Sequence, residues 1–244
     1  MLSIITITFN AEPYLERTIQ SILAQTDQDV EYLIIDGGSK DGTLALANKY
    51  RDRVNVLVSE PDKGLYDAMN KGLHMAKGPY VWFMNAGDQI AEAEAVSKLK
   101  MLMSEGADVI YSDTIMVDEQ GQSLGLRSQV TPHRLPEVMH WSKFKYGMLI
   151  CHQSFVVNKA ICPTYDIENL SADIDWEIIC LKRAEKISLY PGILSKYLLG
   201  GISQKQHRRS LADRYKVLRK HFGWLPNLWN HAFILFRALG DKIK

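Results

Sequence analysis

The sequence predicts an α/β fold with a mostly parallel sheet flanked by helices, on three observations. Strand-like and helix-like segments alternate four times over roughly the first 112 residues, the pattern of parallel strands joined by right-handed crossovers. Tyr80–Met84 is an unbroken apolar and aromatic run that changes abruptly into Asn85, Ala86, Gly87 and Asp88, as a buried strand does where it leaves a sheet. The chain has 244 residues, 46% of them hydrophobic, enough to bury the core of one embellished domain or two small ones.

Each element follows from its local pattern. Leu2–Phe9 is rich in Ile and Thr and reads as the first strand. Asn10-Ala11-Glu12-Pro13 turns the chain into a helix with Leu15, Ile19, Ile22 and Leu23 on one face. Tyr32–Ile35 is the second strand and ends in Asp36-Gly37-Gly38-Ser39. Asp41 then opens a helix with Leu44, Ala47 and Tyr50 inward. Val54–Val58 is the third strand, and its helix carries Leu65, Met69, Gly72, Leu73 and Ala76 as an apolar stripe. After the Tyr80–Met84 strand come a helix with Val96, Leu99 and Met103 inward and a strand at Asp108–Tyr111. Beyond Ser112 the periodicity weakens. Gly121 and Gly125 flank a hairpin, and Thr131–Trp141 is a loop. Cys151–Asn158 reads as a strand, and a helix runs from Asp173 through Leu181. Two helical segments follow from Leu211, split by Gly223 and Pro226.

Composition narrows the function. A net charge of +1 gives no global field for nucleic acid. Three scattered cysteines, none in a CxxC, argue against a disulfide framework or structural zinc and fit a reducing compartment. The N-terminus reads as a strand rather than a signal peptide, and no stretch is apolar for long enough to span a bilayer. The expected location is cytoplasmic or at the inner face of the plasma membrane.

Polar clusters stand at the carboxyl ends of the first four strands: Thr8-Phe9-Asn10, Asp36–Ser39, Asp62-Lys63 and Asn85–Asp88. In an open α/β sheet these ends share one edge, so the four loops form a crevice. The turn after the first strand has no glycine, and the chain has neither a dinucleotide fingerprint nor a P-loop. The phosphates of a bound nucleotide therefore need another counter-charge. A hard cation at Asp88, with Lys63 as a second positive group, would supply it.

ITITFNAEPYLERTIQSILAQT, LIIDGGSKDGT, SEPDKGLYDAMNKGL and YVWFMNAGD, in this order, resemble the family 2 inverting glycosyltransferases of the GT-A fold, especially bacterial members that build surface polysaccharides. The resemblance is tight over residues 2–113 and looser to Ser203. It implies a catalytic domain over 1–205, divided into a nucleotide-sugar half (1–113) and an acceptor half (114–205), with a helical extension over 206–244. It also implies a nucleotide-diphosphate sugar donor, uridine more readily than guanosine, and a glycan or lipid-linked acceptor.

Residue by residue, the resemblance assigns Thr8, Asn10 and Glu12 to the nucleobase and ribose pocket and Asp36 to the base. Lys63 and Asp67 fall to the nucleotide or donor sugar. Asn85–Asp88 stands in place of the family's Asp-x-Asp, with Asn85 on the donor side and Asp88 holding Mg²⁺ or Mn²⁺. Asp173 matches the general base, with Ala172 where the family usually has Glu. Asp175 ranks second, because two residues on it faces elsewhere on a helix. His152-Gln153 resembles an acceptor-side pair, and Gly200–Ser203 a segment covering the donor. Plainer roles stand beside these: Asp88 or Asp173 as a helix cap, Lys63 as a solvated charge, His152 as a core histidine. Rival functions are a catalytically inactive nucleotide- or glycan-binding protein and a sugar-nucleotide pyrophosphorylase. The pyrophosphorylase would need a Gly- and Arg/Lys-rich first loop that this chain lacks. Basic residues interleaved with Trp224, Trp229, Phe233 and Phe236 leave two readings of the C-terminus open: docking on an anionic membrane face, or aromatics packed on the domain.

Overall fold

All seven side chains of β1 (Leu2–Thr8) are buried, because the strand is paired on both edges and covered on both faces. The computed structural model describes residues 1–200 and 206–240, with the backbone alone at 207 and 235–240. After β1 come α1 (Glu12–Leu23), β2 (Val30–Asp36), α2 (Thr43–Lys49), β3 (Val56–Ser59), α3 (Leu65–Met75) and β4 (Tyr80–Phe83). The second half adds β5 (Gln89–Ile90), α4 (Ala95–Ser104), β6 (Val109–Val117), β7 (Ser123–Leu126), α5 (Arg127–Val130), β8 (Phe155–Asn158), α6 (Ala172–Arg183) and β9 (Ile187–Leu198). Two C-terminal helices close the chain, α7 (His207–Phe222) and α8 (Trp224–Gly240).

Among the described residues the strands form one sheet in the order β3-β2-β1-β4-β8-β6-β9-β5, with β7 on β6. The first four strands pair in parallel, as the alternation predicts. β8 enters antiparallel between β4 and β6, so the second half of the sheet is mixed. Two antiparallel steps restore direction, and β6 and its parallel neighbour β9 run the same way as β4. The carboxyl ends of β1, β2, β3, β4 and β9 therefore share one edge.

Side-chain alternation along the strands builds two cores. Ile5, Ile7, Leu33 and Ile35 face α3, α6 and α7, while Leu2, Ile4, Tyr32 and Ile34 face α1 and α4. A Cβ on Gly72 would lie 2.5 Å from Ile5 Cγ2, so this glycine lets α3 settle directly on β1. Val217 and Leu218 of α7 belong to the first core, so the helical extension is packed into the domain. No described helix is long and apolar enough to cross a membrane.

The strand β9 is absent from the sequence reading. Its Pro191-Gly192 has the composition of a turn. In the sheet, Tyr111 pairs with Leu189 and Asp113 with Ile193. The extra residues, Pro191 included, form a bulge where a missing N–H breaks no ladder bond.

Candidate active site

Asp36 closes β2 opposite Thr8 of β1 and Ser59 of β3. It is fully buried. Ser39 bonds one carboxylate oxygen through its hydroxyl, while Oδ2 accepts from the Ser39 amide at 3.0 Å and the Ser59 hydroxyl at 2.6 Å. These bonds hold the carboxylate at the crevice floor and tie β2 to β3. Next to it, Thr8 is 3% exposed and its Oγ1 has no hydrogen-bond partner among the described residues. A buried hydroxyl without a partner costs free energy unless a ligand or water satisfies it.

The β1–α1 loop is braced from the other side of the crevice. Asn10 takes a left-handed φ of +46°. Its amide donates to Ser39 Oγ at 2.8 Å, and its Oδ1 accepts from the Lys40 amide at 2.9 Å. Glu12 Oε2 accepts from the Gly42 amide at 2.9 Å, and Asp41 answers from the Glu12 amide at 3.2 Å and the Thr43 amide at 3.0 Å. Glu12 and Asp41 thus lock the starts of α1 and α2 together, which leaves Glu12 as a bracing group. Lys63 is exposed at the mouth of the β3–α3 loop, and its amide donates to Asp67 Oδ2 at 3.0 Å. Asp67 also lies 3.8 Å from Lys71. Asp67 therefore braces this loop.

The β4–β5 turn supplies the next group. Ala86 donates to the Ile7 carbonyl at 3.0 Å, which sets this turn beside β1. Asn85 Oδ1 is buried and has no partner among the described residues. Asp88 is 4% exposed and accepts from the Leu198 amide at 2.9 Å and from the Gln153 side chain. Burial pushes its carboxyl up to about 8, against the pull of those two donors. No ion pair reaches Asp88 among the described residues. Gly87 makes the turn at φ +104°, and a Cβ there would lie 2.6 Å from Leu198 Cδ2. The turn can therefore approach β9 only because it carries glycine.

Asp173 lies in the first turn of α6, whose cap position is Ser171, so it does not cap the helix. Its Oδ1 accepts from the Ile174 amide at 2.9 Å. The Tyr66 hydroxyl lies beside it, and burial raises the carboxyl above the usual range while Arg214 of α7 pulls it back. Tyr197 lies near enough to Asp88 and to Asp173 that both charges, added to its burial, raise its phenol. One helical turn on, Glu177 is buried with Oε2 lacking a partner among the described residues, and burial holds it well above the carboxylate range.

Two sequence candidates fall elsewhere. His152 is 4% exposed, ringed by Phe83, Tyr165 and Trp176. Burial lowers its pKa to about 3, so its 3.2 Å contact with Glu177 is a neutral hydrogen bond rather than an ion pair. It sits in the core. Asp175 faces α7, where Lys220 bonds it at 2.8 Å and His221 at 2.5 Å. Gln153 keeps a place at the site through Asp88. Of the Gly200–Ser203 segment, 201–203 lie outside the described residues. Tyr66, Arg214, Tyr197 and the Leu198 amide carry no sequence signal, because each reaches the site only through long-range packing.

Residues 3–161 match the glycosyl transferase family 2 pattern. The chain belongs to that family. As a member it is a glycosyltransferase, and its mixed sheet with flanking helices is the GT-A fold. A "PGL/p-HBAD biosynthesis glycosyltransferase" of Mycobacterium tuberculosis is 29% identical over 214 residues, 83% of this chain and 79% of that protein. An uncharacterised glycosyltransferase of Haemophilus influenzae is 25% identical over 212 residues, 85% and 83%. The Staphylococcus aureus TarS 1–349 structure with UDP-GlcNAc superposes at TM-score 0.70 and 22% identity, covering 89% of this chain and 64% of TarS 1–349. A Pyrobaculum calidifontis mannosyltransferase with GDP-Man and Mn²⁺ superposes at 0.64 and 16% identity, covering 98% and 75%.

Proposed function

We propose that this family 2 member is an inverting enzyme. It moves a sugar from a uridine-diphosphate donor to a hydroxyl of a glycan or lipid-linked acceptor in surface-polysaccharide synthesis. The observation that carries the reading is the pair of buried, unpartnered atoms Thr8 Oγ1 and Asn85 Oδ1, beside the carboxylates of Asp36 and Asp88 on one sheet edge. A polar ligand filling that edge would satisfy both. The uridine preference is supported by the TarS structure with UDP-GlcNAc.

Asp88 and Asn85 offer hard oxygen donors, the chemistry that Mg²⁺ or Mn²⁺ accepts. Among the described residues no group of three or more His, Cys, Asp or Glu could hold a metal. Donor phosphates and water would therefore complete the ligand set. A cation bound there supplies positive charge opposite the departing diphosphate. Asp36 and the Asn10 loop position the nucleoside. Asp173 takes the proton from the acceptor hydroxyl as that oxygen bonds to the anomeric carbon. The bond from that carbon to the donor phosphate breaks, and its electron pair leaves with the diphosphate. Burial around Asp173 raises its affinity for the proton, which suits a base working near neutral pH.

A thermal-shift screen of UDP, GDP and ADP, each with and without Mn²⁺, tests the donor. Selective stabilisation by UDP with Mn²⁺ is expected. Selective stabilisation by GDP would overturn the uridine assignment, and no response to any nucleotide would overturn the donor site.

A further inference from the structure

We propose that α8 is a membrane-docking element that seats this protein on an anionic lipid bilayer. One face of α8 is fastened to the protein. Asn227 is buried and its Nδ2 donates to the Tyr215 carbonyl at 3.3 Å. The His231 ring meets Tyr215 at 4.8 Å, and Phe233 meets Tyr146 at 4.7 Å between ring centroids. Away from those contacts the helix exposes Trp224, Leu225, Leu228 and Trp229 by 56, 62, 43 and 79%, with Phe233 at the margin of the packed side. Spacings of four residues set Leu225, Trp229 and Phe233 in one stripe along the helix, with Trp224 and Leu228 in the row beside it. Residues 224–236 contain no Asp, Glu, Lys or Arg, so nothing on the helix itself interrupts the stripe.

The charge of the chain is segregated along its sequence. Residues 206–244 carry nine Lys and Arg against two Asp and Glu, whereas residues 1–205 carry twenty against twenty-six. Lys216 and Lys220 of α7 are exposed, and Lys143 and Lys145 are exposed on the short 3-10 helix Trp141–Tyr146, against which α8 packs. Lys145 lies over the ring of Tyr146, which meets Phe233 at a tilt of 36°. An apolar stripe with two tryptophans, rimmed by cations, matches the interface of an anionic bilayer: indoles lodge at headgroup depth and cations meet lipid phosphate. A second copy is the weaker occupant, because a two-fold pairing would bring two strongly basic segments together. The acidic remainder of the chain would be repelled by the same lipid surface, which fixes which side faces it. The inference rests on this surface alone and stands independently of the donor assignment.

Flotation of the full-length protein with vesicles tests it. Binding is expected to phosphatidylcholine vesicles containing about 30% phosphatidylglycerol and not to phosphatidylcholine alone, with release at high salt. Trp224→Ser with Trp229→Ser should weaken binding at least ~10-fold while circular dichroism and UDP binding stay unchanged, because both side chains are largely solvent-exposed. Lys143→Glu with Lys145→Glu should weaken binding to anionic vesicles only. The proposal is overturned by equal binding to both vesicle types or by no binding to either. It is also overturned by a concentration-dependent dimer that the tryptophan double variant abolishes.

Discussion

Replacing Asp88 with asparagine should make the cation-free protein more stable at neutral pH. The Asn carbonyl can keep the Leu198 amide bond, 2.9 Å long in the native protein, so the change mainly removes the charge. Asp88 is 4% exposed, and its carboxyl is pushed from 3.8 to about 8. Between those values the folded chain holds a proton that the unfolded chain has released. This group's stabilisation is therefore complete below about pH 4 and is lost as pH rises toward 8. From 3.8 to pH 7, at about 1.4 kcal/mol per pH unit, the loss is about 4 kcal/mol. In EDTA, urea unfolding followed by tryptophan fluorescence should show native stability falling relative to Asp88→Asn from about pH 4 to about pH 8. The variant should lead by about 4 kcal/mol at pH 7. Adding Mn²⁺ and UDP should stabilise the native protein and leave the variant unmoved. Parallel stability curves in EDTA, or a less stable variant, would refute the account of Asp88 as a buried carboxyl with no paired cation.

Asp173→Asn should cut turnover at least ~100-fold while UDP binding persists, because only the proton acceptor is removed. The acid limb of native kcat/KM should lie above the ordinary carboxylate range, since burial raises Asp173. A limb near 4 would count against that residue as the base. Gly87→Ala forces a φ of +104° on a residue with a Cβ, 2.6 Å from Leu198 Cδ2. It should cost about 1–2 kcal/mol in stability, and cation-dependent UDP affinity, read by calorimetry, should fall more than stability does.

The parallel half of the fold was legible because its cues are local: alternation in β1, turn residues after β2, and the switch from Phe83-Met84 to Asn85–Asp88. Asp88 could be singled out for the same reason. Its partners could not be, since Leu198 is 110 positions away on a strand disguised by Pro191-Gly192. Separating Asp173 from Asp175 needed only helix geometry, but learning that Lys220 and His221 engage Asp175 needed α7 in place. His152 carried a resemblance to an acceptor-side residue, whereas its ring of aromatics is drawn from three distant elements. The bracing bond of Glu12 was hidden in the same way, because its partner Gly42 lies on the next crossover.

The place of α7 bears on how little of this chain could still work. Val217 and Leu218 fill part of the space under α3 and α6, Arg214 offsets the charge of Asp173, and Lys220 with His221 grips the next carboxylate along. A gene trimmed at residue 205 would still encode the donor crevice. It would leave α6 standing over a gap, its two aspartates stripped of their counterweights, so nucleotide recognition could outlive sugar transfer in the shortened product.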